Sequence, residues 1–83
     1  MSLYRQEKLI YTLLKFRWKK YGLTHIKVEC YNRFQGDKYI CRLEVFKGGR
    51  GIKNRLMKYE AQLEDKFVVE AERRLKEILV AVP

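Results

Sequence analysis

"HIKVECYNRFQGDKYICRLEVF", residues 25–46, decides the fold. On both sides of Gln35-Gly36, apolar and polar residues alternate, the period of a β-strand with one buried face. A two-residue turn at Gln35-Gly36 pairs Cys30 with Cys41, Val28 with Leu43 and Ile26 with Val45, and sets all six on one face. On the other face Glu29 meets Arg42, Lys27 meets Glu44 and Tyr31 meets Ile40. Such cross-strand pairs contribute roughly 0.2–1 kcal/mol each. A slip of one residue would turn every side chain to the wrong face. The stretch therefore reads as an antiparallel hairpin whose tip, with Asn32, Arg33, Asp37 and Lys38, projects a partly basic loop into solvent.

This register makes the two cysteines core neighbours on adjacent strands. Two cysteines and one histidine are too few for a four-ligand zinc site within one chain, and too few for a disulfide scaffold. Directly opposed positions permit a cross-strand disulfide. In a reducing compartment two buried thiols are the expected state, with no metal and no cofactor.

Before the hairpin, residues 3–21 have helical spacing. Leu3, Ile10, Leu14 and Tyr21 share a narrow face, with Leu13 and Trp18 at its edges. Opposite that face lie Arg5, Lys8, Thr12, Lys15 and Lys19, with Tyr4 and Tyr11 alongside. Only Glu7 interrupts the positive charge, whereas ordinary exposed helical faces mix signs to gain i,i+4 pairs. A basic stripe beside tyrosines can track a phosphate backbone.

After the hairpin, "FKGGRGIKNR", residues 46–55, sets three glycines around Arg50 and carries Lys47, Arg50, Lys53 and Arg55. Glycine lets a backbone come close to a phosphate. The spaced Gly-Lys-Ser/Thr ending of a nucleotide P-loop is missing.

Residues 52–63, "IKNRLMKYEAQL", fit either a third strand, at 52–60, or a helix; composition and the spacing of Ile52, Leu56, Tyr59 and Leu63 favour the helix. From Glu64 onwards helix is expected, with Phe67, Val68, Ala71, Leu75, Ile78 and Leu79 on one face. Joined to residues 52–63, that helix would be ~40 Å long, more than a two-stranded hairpin can cover. A homodimer would then supply the cover, and Phe46 and Ile40 on the other face would be covered by either a dimer partner or the end of that helix. The last helix mixes its charges at i,i+4 spacing (Glu70 with Arg74, Glu72 with Lys76, Arg73 with Glu77) and reads as structural surface.

The expected fold class is thus α+β: a helix, an antiparallel hairpin, a third strand or a helix at 52–60, and a long C-terminal helix, the helices packed on one face of the sheet. With 83 residues, 1–83 make a single domain, and 47% apolar content marks it as folded despite 35% charged residues. No apolar run approaches the ~20 residues of a membrane span, and the N-terminus lacks a signal-peptide core, so a cytoplasmic protein is expected.

Net charge is +9 and unevenly placed. Residues 1–24 set Arg5, Lys8, Lys15, Arg17, Lys19 and Lys20 against Glu7 alone, while residues 64–83 are nearly balanced. A sided positive field implies an anionic partner, either nucleic acid or an acidic protein surface. The second alternative would make this a small interaction module, an inhibitor or regulator.

"LLKFRWKKYGLTHIKVEC" resembles the first helix, Gly-Leu exit and first strand of the double-stranded RNA-binding domain, and "AERRLKEIL" is similar to its last helix. The likeness covers about residues 13–79 and requires residues 52–60 to be a strand. It implies RNA recognition by shape, through helix 1 (Lys8, Thr12, Lys15, Lys19) and the loop between strands 1 and 2 (Arg33 to Lys38). It places RNA ahead of DNA as the expected partner. The small Alu-domain proteins of the signal recognition particle are similar in element order and also bind RNA.

Catalysis is not expected. Ser2 is the only serine and His25 the only histidine, scant material for a triad, and His25 at a strand start reads as structural. Asp37, Glu44 and Lys47 could suggest a metal nuclease, but Glu44 and Lys47 have opposite strand parity and point to opposite faces unless a bulge intervenes.

Overall fold

The hairpin has the register expected of it. In the computed structural model, which describes residues 3–32 and 38–81, strand β1 (His25–Asn32) pairs antiparallel with β2 (Tyr39–Phe46), with Ile26 opposite Val45, Val28 opposite Leu43 and Cys30 opposite Cys41. Arg33, the Gln35-Gly36 turn and Asp37 lie outside the described residues, as does the side chain of Leu3. Both cysteines are free and buried. Burial pushes both thiols above their ordinary range, which suppresses the reactive thiolate. A thiol-specific reagent at neutral pH is therefore expected to label neither cysteine in the folded protein and both in denaturant. Rapid labelling of Cys41 under native conditions would contradict its burial.

Residues 55–62 form a strand, which corrects the helical leaning. β3 (Arg55–Gln62) pairs antiparallel with β2, giving the sheet order β1-β2-β3. Met57, Tyr59 and Ala61 face the core opposite Val45, Leu43 and Cys41, while Lys58 and Glu60 lie opposite Glu44 and Arg42. Charge thus alternates across all three strands, as Glu29-Arg42-Glu60 in one row and Lys27-Glu44-Lys58 in the next. Tertiary pairing outweighs the helix propensity of Leu, Met, Lys and Glu here. The long helix that would have called for a second copy is not formed. Phe46, beside a bulge at Val45/Phe46, is already only 7% exposed.

Helix α1 (Leu3–Arg17) precedes the sheet and α2 (Phe67–Ala81) follows it. Both cover the same face. The core joins Ile10, Leu14 and Trp18 to Cys30, Cys41, Leu43, Val45 and Met57, and to Phe67, Ala71 and Leu75. Trp18, expected at the edge of its face, is fully buried, whereas Leu13 is 47% exposed. The reason is local: α1 ends at Arg17, a 3-10 turn follows at Lys19–Tyr21, and the indole at this junction drops towards α2. Gly22 closes the turn at φ 68°, a left-handed conformation that favours glycine, and its N–H donates to the Lys19 carbonyl.

Among the described residues no helix covers the sheet's other face, which carries a set of paired charges. Arg42 donates to Glu29 and holds that carboxyl below the usual carboxylate range, with Lys27 Nζ 3.4 Å from the same carboxylate adding to the effect. Arg55 Nη1 lies 3.2 Å from Glu44 Oε2, and the Tyr31 hydroxyl donates to Glu60 across β2 (2.8 Å).

Candidate nucleic-acid interface

Helix α1 runs back along β1. Near its start the Glu7 carboxylate accepts the Cys30 N–H (2.8 Å), and near its end Trp18 Nε1 donates to Glu72 Oε1 of α2 (2.7 Å). Arg17 Nε also donates to Glu72 Oε1 (3.0 Å), and Lys76 Nζ stands 3.7 Å from Oε2. Burial alone would raise the Glu72 carboxyl, but the indole N–H, the guanidinium and the Lys76 charge outweigh it and hold the group below its ordinary value. These anchors fix the roll of α1. The face carrying Arg5, Lys8, Thr12, Lys15 and Lys19 is left exposed.

Along one flank of that face lies a groove of about 440 Å³, floored by Leu23–Ile26 and walled by Thr12, Lys15, Phe16 and Lys19. A second groove, about 510 Å³, shares Tyr11, His25 and Ile26 with it and reaches Arg50 and Ile52, with Lys27 and Glu44 also in its lining. The fold therefore brings Thr12, Lys15, Lys19 and Arg50 to one connected depression at the entry to β1. Lys15 Nζ sits 5.8 Å from the Tyr11 ring centroid, a cation over the π-face.

The 47–54 loop is tied at its base, with the Lys47 N–H donating to the Asn54 carbonyl (3.0 Å). Gly48 and Gly49 have φ of 94° and 154°, and a Cβ on Gly49 would come within 2.8 Å of Asn54 Nδ2. A side chain there would displace the Asn54 amide and hold the backbone in a conformation that favours glycine.

Other expected contacts lie elsewhere. Lys38 borders a separate depression with Tyr31, Ile40 and Glu60, and Arg55 is engaged by Glu44. Lys47 and Lys53 are exposed on the loop but line neither groove, and Arg5 and Lys8 lie further along the helix. Arg33 lies outside the described residues. Sequence reasoning missed Phe16, which is 84% exposed at the rim, and took His25 as purely structural although it lines both grooves. The helical signal for Phe16 was present: it stands four residues after Thr12 and three before Lys19, on their side of the helix.

Charge pairing separates this region from the rest of the surface. Glu29, Glu44, Glu64, Glu70 and Glu72 all hold basic partners on the sheet's open face or on and around α2. Among the described residues no carboxylate lies within 4 Å of Lys8, Lys15, Lys19, Lys47, Arg50 or Lys53. Among the described residues no three His, Cys, Asp or Glu side chains converge to hold a metal ion, and no helix is long and apolar enough to cross a membrane. Compared with known proteins, the chain matches no family model, no curated protein and no solved structure.

Proposed function

We propose that this protein is a non-catalytic nucleic-acid-binding domain that prefers RNA, taking phosphates along α1 and at the glycine loop. The observation that carries the reading is that Lys15, Lys19 and Arg50 line two adjoining grooves with no ion pair of their own among the described residues, while Glu44, which also lines the second groove, is paired with Arg55. Uncompensated cations on a shaped surface attract a polyanion and release its counterions. The preference for RNA is supported by the α-β-β-β-α order, which the likeness to the double-stranded RNA-binding domain requires. At the start of α2 that family's basic cluster is replaced by Glu64, Asp65 and Lys66. Phosphate contact therefore falls to α1 and the loop.

The test is a filter-binding series on duplex RNA, duplex DNA and single strands at increasing salt. Affinity for RNA should exceed that for DNA, with log K falling linearly against log salt. Absence of binding to every nucleic acid even at low salt would reject this function and leave an acidic protein surface as the partner of the same face.

A further inference from the structure

Phe16 is the most exposed aromatic side chain among the described residues, and it stands at the rim of the groove between Lys15 and Lys19 rather than apart from them. Beneath it, Leu23 and Ile26 give an apolar floor, and His25 marks the junction with the second groove, its Nδ1 buried and without a hydrogen-bond partner. A flat aromatic ring, an apolar floor and cations on the rim match the two halves of one ligand. A nucleobase offers a π-face for the ring, and its phosphate offers a charge for the lysines.

A duplex alone leaves this ring idle. It presents phosphates outward but keeps its bases stacked inside the helix, and A-form RNA shows proteins mainly its sugar hydroxyls and phosphates. Only an unpaired nucleotide, in a bulge, loop or single strand, brings a base face to Phe16.

We propose that the groove beside α1 is a subsite for an unpaired nucleotide, its base stacked on Phe16 and its flanking phosphates held by Lys15 and Lys19. The proposal rests on the nucleic-acid reading above and specifies the ligand as RNA interrupted by an unpaired base. Arg50, at the far end of the connected groove, would take the phosphate chain as it leaves. Thr12 stands at the wall as a hydroxyl partner for sugar or phosphate.

The experiment compares three probes on the full chain: a plain RNA duplex of roughly 16 base pairs, the same duplex with one bulged adenosine, and that duplex with an abasic spacer in the bulge. The bulged adenosine should bind on the order of 10- to 100-fold more tightly than the plain duplex. The abasic spacer should lose that gain, since it keeps the distorted backbone but lacks the base. Phe16→Ala should abolish the gain and leave plain-duplex affinity unchanged, and Phe16→Trp should keep it. Equal binding of all three probes, or a gain that survives Phe16→Ala, would overturn the stacking subsite while the RNA reading stands. Failure of every probe to bind would overturn both.

Discussion

Replacing Trp18 with alanine is expected to remove a large share of the chain's stability. A buried tryptophan cut to alanine loses about 3–5 kcal/mol, and a domain of 83 residues has about 4–12 kcal/mol in total. The effect should be at the high end, because the substitution also takes the indole N–H from Glu72, a carboxylate only 8% exposed. Trp18→Phe, which keeps most of the ring but not the donor, should cost much less. At about 4–8 °C per kcal/mol for a domain this size, thermal melts will separate the two easily. Glu72 adds a pH signature. Its folded-state pKa is depressed, so its contribution is present above the unfolded carboxyl value of about 4.3 and is lost as pH falls through the folded value. Glu72→Gln should flatten that part of the acid limb. An unchanged melting temperature in Trp18→Ala would show that α1 and α2 are not joined through this residue.

The double substitution Lys15→Ala with Lys19→Ala should weaken binding to every nucleic acid by roughly 50-fold at 0.1 M salt, and lower the log–log salt slope by nearly two, at ~0.9 counterion per phosphate contact. Because both side chains are exposed, the melting temperature should not move. Reversing Arg73 and Arg74 to glutamate is the control. Arg73 pairs with Glu70 on α2, away from the groove, and its loss should matter less. If the control abolishes binding while the lysine pair proves dispensable, the ligand contacts α2 instead.

Hairpin register was legible because the apolar and charged patterns agreed on one alignment, and both cysteines took the places that alignment set. The third strand was harder. Leu56, Met57 and Lys58 favour helix one by one, and only the charge rows of β1 and β2, carried on to Lys58 and Glu60, mark residues 55–62 as their continuation. A pattern that exists only between strands cannot be found by scanning one segment. The basic face of α1 followed from spacing alone. That Arg50 meets it at a shared groove, and that Arg55 and Lys38 do not, depends on where the chain folds back after β2, which no local periodicity encodes.

Glu7 has an effect beyond positioning the helix. β1 is an edge strand, and edge strands with free N–H groups invite a strand from another molecule. At Cys30 that invitation is already answered, since the carboxylate of α1 occupies the outward N–H. A strand arriving there would have to displace an anion and push α1 aside, and a second copy would bring its own +9 charge against the first. One glutamate in the most basic segment of the chain thus blocks one pairing position on this edge, and Glu7→Ala is expected to scatter more light on concentration than the parent chain.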